Sequence, residues 1–197
     1  MKMYRFADSG KNLAKERGSG VPHTNQDMQR NSSVRPELSR NEYLQLLHTA
    51  KARGKERLYL LVKLFAATGI TVQELPKVTV EAVEEGRVVC SHNHVQEIVR
   101  LPECLKKELL SFARRNGSSF GPIFQTRAGG PMNRTHISTA IRRLCVEAEI
   151  AEEKGNPRCL KRLYQNTRTG IENNVALLID QAMERQLEQE QLVAGWE

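Results

Sequence analysis

Apolar residues that recur every three or four positions predict that most of this chain is helical. In "RPELSRNEYLQLLHTA", Ser39 stands three residues before Glu42, which is the spacing of a capping box, and apolar residues from Tyr43 onward form one face. The next stretch, "RLYLLVKLFAATG", is apolar on nearly every turn. It therefore predicts a central buried helix that ends at Gly69.

Residues 71–102 change from helical to alternating spacing. The stretch "TVQELPKVTVEAV" predicts a short helix that stops before Pro76. The stretch "GRVVCSHNHVQEIVRLP" predicts two strands joined between His92 and Val95. The join lacks a tight Asn-Gly signal, so its turn type is left open. Together these segments predict a fold that is mainly α with a small antiparallel β-sheet.

Three further segments complete the predicted order of elements. They are an amphipathic helix in "PECLKKELLSFARRNG", a loop with a short extended piece in "GPIFQTRAGGPMN", and a helix with clustered basic residues in "NRTHISTAIRRLCVEAEI". From Leu160 to Leu187 the apolar residues again keep a helical period, with Gly170 as a candidate break point.

Residues 1–35 differ in composition from the rest of the chain. They are rich in Gly, Ser, Asn and Gln and carry seven Lys or Arg residues against three acids. Such a segment buries too little apolar surface to offset its ordering entropy. We therefore predict a flexible basic arm over 1–35 and a folded domain over 36–197, with an inert linker as the alternative interpretation of the arm.

Charge and cysteine content narrow the class of partner and compartment. The 197 residues carry a formal net charge of +7 with a pI near 9.4, which favours an anionic partner, with nucleic acid ahead of an anionic membrane. The sequence has no apolar run of membrane-spanning length and no apolar signal core at its start. The four cysteines are widely spaced, which is typical of reduced thiols in a cytosol.

Four blocks in order resemble the catalytic domain of tyrosine recombinases, also called phage integrases. They are residues 38–75, the hairpin ending "IVRLP", the segment "GPIFQTRAGGPMNRTHISTAIRRLC", and the late "NPRCLKRLYQNT". The resemblance covers about Pro36 to Trp196. It implies a mostly helical domain with a small sheet that grips duplex DNA in a basic cleft.

The resemblance also implies where catalytic side chains would lie. In that family a tyrosine attacks the phosphodiester, while two arginines and other basic positions hold the phosphate and move protons. Guanidinium groups suit this task because they clamp the charged phosphate oxygens bidentately. The first arginine of the family block Ala-Thr-Gly-Leu-Arg-x-x-Glu-Leu falls on Thr71, and the hairpin lysine falls near Asn93 or Val95.

The later family box, His-x-x-Arg-His, is also changed. Arg158 stands for the first histidine, Lys161 for the arginine and Arg162 for the last histidine, whereas Trp196 keeps a residue that the family uses. The family's tyrosine is expected about nine residues beyond Trp196, after the last residue of this sequence. The tyrosines present, which are Tyr4, Tyr43, Tyr59 and Tyr164, are not placed to replace it.

These exchanges keep positive charge, which serves phosphate binding without serving proton transfer. We therefore predict a catalytically inactive recombinase homologue of prokaryotic, phage or mobile-element origin, cytoplasmic and nucleoid-associated, with an accessory or regulatory role in DNA integration or recombination. Its predicted partners are double-stranded DNA and a recombinase or copies of itself on DNA. The predicted DNA contacts are Arg134, His136, Arg142, Arg143, Lys154, Arg158, Lys161 and Arg162.

Two other functions stay open at the level of the sequence. One is an active site-specific recombinase whose tyrosine is truncated here or supplied by a partner chain, and the other is a non-catalytic protein-interaction module. The alternating Cys90, His92 and His94 would point to one side of a strand, but a fourth ligand is not apparent. We therefore predict no metal and no cofactor.

Overall fold

The computed structural model of this protein describes residues 36–92, 95–126 and 128–195. The helices and strands in these ranges are α1 (Arg40–Ala52), α2 (Glu56–Thr68), α3 (Val80–Glu84), β1 (Arg87–His92), β2 (Val95–Arg100), α4 (Glu103–Arg115), α5 (Arg134–Glu147) and α6 (Pro157–Ala194). The predicted arm and the predicted site positions Asn93 and Trp196 lie outside the described residues.

Helices α1 and α2 begin and end where the local signals predict. The Ser39 hydroxyl accepts a hydrogen bond from the Glu42 amide at 3.2 Å, and the Glu42 carboxylate accepts one from the Ser39 amide at 2.8 Å. Helix α2 ends at Gly69, whose φ of 69° is left-handed. Because α2 contacts α1, α4, α5 and α6, the prediction of a central helix is confirmed.

The short helix predicted to stop before Pro76 is wrong. Residues 72–74 form a turn, and Pro76 lies inside a 3₁₀ helix, Leu75–Lys77. The turn forms because the Glu74 carboxylate accepts hydrogen bonds from both the amide and the hydroxyl of Thr71, each at 2.8 Å. Proline fits the start of the 3₁₀ helix because an amide donor is not needed there.

The predicted hairpin is confirmed as a two-stranded antiparallel sheet. Its register runs from Arg87 opposite Arg100 to His92 opposite Val95. On β1, Val88 and Cys90 are buried in the core. The predicted extended piece after α4 is also confirmed, as isolated bridges join Thr79 to Pro122 and Gln125 to Pro131.

Helix α6 runs without interruption from Pro157 to Ala194, so the candidate break at Gly170 is wrong. Its first turns pack into the core, where Cys159, Leu160 and Leu163 are buried. The helix continues because a glycine in an exposed helix lowers stability without stopping the helix. Within the described ranges, no helix is both long and apolar enough to cross a membrane.

Candidate nucleic-acid interface

Two glycines let α6 approach the rest of the domain closely. A Cβ atom on Gly69, at the end of α2, would lie 2.5 Å from the Tyr164 ring. A Cβ atom on Gly155, just before α6, would lie 2.5 Å from the Arg142 Cα atom of α5. Both contacts are too short for any larger residue, so these glycines set the position of the α6 N-terminus.

The N-termini of α5 and α6 are capped in the same way. The Asn133 side chain accepts a hydrogen bond from the Thr135 amide at 2.7 Å, and the Asn156 side chain accepts one from the Arg158 amide at 2.9 Å. Pro157 occupies the first turn of α6, where its missing amide costs nothing. Each N-terminus carries partial positive charge from the aligned peptide dipoles.

These two helix ends meet the α2–α3 connection at a cleft of about 240 Å³. We call it the basic cleft, and its lining residues are Ile70, Thr71, Val72, Gln73, Arg134, Asn156, Pro157, Arg158 and Lys161. Arg134 and Arg158 are exposed, and Lys161 is half-buried. None of these lining residues is acidic, and the cleft combines three cations with two helix N-termini, which is a chemistry suited to anions.

Thr71 lies in the basic cleft, but its polar groups are already engaged. Its amide and its hydroxyl both donate to one carboxylate oxygen of Glu74, which is 6% exposed. Threonine also carries a neutral hydroxyl in place of the bidentate guanidinium that the resemblance implies at this position. Thr71, on which the resemblance places a family arginine, is therefore held within this turn by Glu74.

Two of the predicted DNA contacts are engaged with other residues of the domain. The Lys154 ammonium donates to the Glu42 carboxylate at 2.7 Å, and this bond is the main reason that the pKa of Glu42 lies below its ordinary value. The Arg162 guanidinium donates to the Cys159 sulfur at 3.6 Å, and its Nη1 atom is buried without a hydrogen-bond partner in the described part of the chain. Neither residue lines the cleft.

Three other predicted contacts lie on α5 and are exposed. They are His136, Arg142 and Arg143, and none of them lines the basic cleft. The structure thus brings Thr71, Arg134, Arg158 and Lys161 together and leaves the α5 residues on the adjoining surface. Asn156 was not predicted as a site residue, although Asn-Pro before a helical pattern is a recognisable start signal.

A second cleft lies beside the hairpin and has a volume of about 290 Å³. Cys90 lines it, and burial, followed by the charge of nearby Glu74, raises the pKa of its thiol to about 12. A thiol of this kind stays protonated and is a poor nucleophile. His94 lies outside the described residues, and the residues that are described contain no group of three metal-ligand side chains. All four cysteines are free thiols.

The described tyrosines are buried or half-buried. Tyr43 is buried, and desolvation raises the pKa of its phenol. The Tyr59 hydroxyl accepts a hydrogen bond from Lys63 at 3.3 Å, and the Tyr164 ring packs over Gly69. Across the described ranges, no tyrosine lines the basic cleft.

Comparison of the sequence with protein-family models gives no match, and comparison with curated proteins also gives none. Solved structures do match the fold. The crystal structure of XerA recombinase matches with a TM-score of 0.58 and 23% identity, over 73% of this chain and 52% of that one. XerH site-specific recombinase, bound to its difH substrate before cleavage, matches with a TM-score of 0.54 and 16% identity.

The XerH match covers 65% of this chain and 41% of that one, so the present sequence spans about half the length of these recombinases or less. The described domain is mainly helical with a two-stranded antiparallel sheet, and its fold is similar to that of tyrosine recombinase catalytic domains. The fold class implied by the sequence resemblance is therefore confirmed.

Proposed function

We propose that this protein is a DNA-binding homologue of the tyrosine recombinases that holds duplex DNA without cleaving it. Its role would be accessory or regulatory in recombination or in integration of a mobile element. The observation that carries the proposal is the basic cleft, where Arg134, Arg158 and Lys161 converge on two helix N-termini with no acidic lining residue. A recombinase of similar fold that is bound to its DNA substrate supports the same assignment.

The basic cleft suits phosphate better than a neutral ligand. Arginine side chains can bind phosphate oxygens bidentately, and helix N-termini add amide donors and a positive dipole end. Each phosphate that such a site neutralises releases counterions, so the affinity falls steeply with salt. The exposed Arg142 and Arg143 extend positive charge along α5 beyond the cleft, which supports contact with more than one phosphate.

The residues of the basic cleft are poorly suited to strand cleavage. Strand cleavage passes through a phosphorane, whose negative charge would need a cation at the position where Thr71 instead donates to Glu74. The leaving oxygen would also need a group that can release a proton to it. Arg158 stands at the position of a family histidine, and a guanidinium keeps its proton in proteins. Loss of a single charge-stabilising donor commonly costs about a hundredfold in rate or more.

The proposal is tested with a labelled duplex that carries a nick beside a candidate scissile phosphate. A native gel run at several salt concentrations measures binding, and a denaturing gel of the same samples detects any covalent adduct. We expect binding that weakens with salt and no adduct, for random duplexes and for duplexes taken from element ends. A phosphotyrosyl adduct mapped by mass spectrometry would make the protein an enzyme, whereas absence of binding at low salt would remove the DNA-binding role.

A further inference from the structure

The basic cleft holds more positive charge than one phosphate inside a DNA strand can neutralise. Arg134, Arg158 and Lys161 supply three full charges, and each of the two helix N-termini adds about half a charge. A phosphodiester within a duplex carries a single negative charge. A terminal phosphomonoester carries about −1.5 to −2 at neutral pH and offers three acceptor oxygens. In charge, the cleft therefore suits the end of a strand better than its interior.

The excess charge comes from the two helices that meet at the cleft. Helices α1, α2, α3 and α4 each have a glutamate in the first turn, where it offsets the positive end of the helix dipole. Helices α5 and α6 have no acid in the first turn, and Arg134 and Arg158 stand there instead. Because a cation at a helix N-terminus opposes the dipole, an anion in the cleft would stabilise both helix ends at once.

The cleft also has an apolar side. Ile70, Val72 and Pro157 line it beside the cations, and Val72 and Pro157 are only half-buried. Inside a duplex both faces of every base are covered by stacking, whereas the last base leaves one face open to an apolar contact. The cleft volume of about 240 Å³ equals that of about eight water molecules at about 30 Å³ each. This room suits one phosphate group and part of the nucleotide that carries it.

We propose that the basic cleft recognises the phosphorylated end of a DNA strand at the end of a duplex. The inference rests on the proposed function and names the form of DNA that this site takes. Arg134 and Arg158 would bind the oxygens of the terminal phosphate, and Lys161 would neutralise its second charge. Arg142 and Arg143, which are exposed on α5 outside the cleft, would contact phosphates of the adjoining duplex.

Four duplexes of one sequence and length test the inference. Three are linear and end in 5′-phosphates, in 3′-phosphates or in hydroxyls only, and the fourth is closed by a loop at each end. Fluorescence anisotropy with an internal label measures each affinity at one salt concentration. We expect a phosphate-ended duplex to bind about tenfold or more tightly than the hydroxyl-ended and closed duplexes, because charged groups strengthen hydrogen bonds. Binding that gains nothing from either terminal phosphate would overturn the inference and leave the proposed function intact, whereas no binding to any duplex at low salt would refute both.

A free nucleotide is the other source of the same phosphate chemistry. A deoxynucleoside 5′-monophosphate and the matching deoxynucleoside are therefore added as competitors of the phosphate-ended duplex. We expect the monophosphate to displace the duplex only far above the dissociation constant of the duplex, because it lacks the phosphates that Arg142 and Arg143 would contact, and we expect the nucleoside to have no effect. Displacement by the monophosphate at concentrations close to that dissociation constant would assign the cleft to a free nucleotide and overturn its assignment to DNA ends.

Matched variants test whether the preference for a phosphorylated end belongs to the basic cleft. Lys161→Ala removes a cation of the cleft, Arg158→Ala removes one at an exposed position of the cleft, and Lys107→Ala removes an exposed cation of α4 outside it. The added charge of a phosphorylated end attracts any basic surface, so only a contact within the cleft separates these variants. We expect both cleft variants to reduce the preference by about threefold or more and Lys107→Ala to leave it unchanged. Equal preferences in all three variants would place end binding elsewhere and overturn the inference.

Discussion

The contact between Gly155 and α5 gives a sharp test of how the basic cleft is assembled. A Cβ atom at position 155 would lie 2.5 Å from the Arg142 Cα atom and 2.8 Å from its backbone nitrogen. Ordinary contacts between carbon atoms lie at about 3.5–4.0 Å, so Gly155→Ala must move α5 and the start of α6 apart by roughly 1 Å. The φ of Gly155 is −73°, which any residue adopts, so the cost is steric.

Overpacking of this kind typically costs about 1–3 kcal/mol. For a domain of this size that cost corresponds to a fall in melting temperature on the order of 5 °C. The same displacement would move Arg158 relative to Arg134, so we also expect weaker DNA binding at temperatures where the variant is fully folded.

Gly170→Ala is the matched control, because position 170 has no neighbour within 4 Å and lies inside an exposed helix. Alanine there should raise stability by about 0.5–1 kcal/mol. Thermal unfolding followed by circular dichroism compares both variants with the wild type. A Gly155→Ala variant that melts at or above the wild-type temperature would refute the proposed close approach of α5 and α6.

Three further predictions concern single features of the chain. Thr71→Val should destabilise the fold by about 1–3 kcal/mol, measured by urea unfolding, because it removes a hydroxyl donor to buried Glu74, whereas Thr71→Ser should not. Because Lys154 lowers the pKa of Glu42 below 4.5, the pair stabilises the fold above that pH, and the difference in melting temperature between wild type and Glu42→Gln should vanish as the pH falls through the lowered pKa. Deletion of residues 1–35 should reduce the salt dependence of DNA binding and leave the melting temperature unchanged; an unchanged salt dependence would favour the inert linker.

Local signals in the sequence were sufficient for most of the secondary structure. The capping box at Ser39, the left-handed end at Gly69 and the alternating residues of the hairpin each depend on neighbours within a few positions. The two errors arose where a local rule was outweighed. Pro76 lies in the first turn of a 3₁₀ helix rather than ending an α-helix, and Gly170 lies within a long helix despite its low propensity.

The residues of the basic cleft were predictable only in part, because which of them come together depends on packing between distant parts of the chain. The family resemblance placed Thr71, Arg158 and Lys161 at positions where the family has basic catalytic residues. The structure brings these three residues into one cleft. The pairing of Lys154 with Glu42 joins residues 112 positions apart, so no local pattern could have shown that Lys154 pairs with an acid outside the basic cleft. The exposure of α6 beyond Tyr164 also needed the structure, since the sequence shows a helical period without showing which residues are covered.

Binding of DNA phosphates by the basic cleft is tested most directly by removing two of its cations. The double variant Arg158→Ala/Lys161→Ala is compared with Arg57→Ala/Lys107→Ala, which removes the same charge from positions outside the cleft. Duplex affinity is measured by fluorescence anisotropy across a range of salt concentrations. We predict that the cleft variant weakens binding to all sequences alike and lowers the slope of log affinity against log salt by about 1.8, while the control keeps the wild-type slope. Equal slopes for the two variants would contradict the assignment of this cleft as the phosphate site.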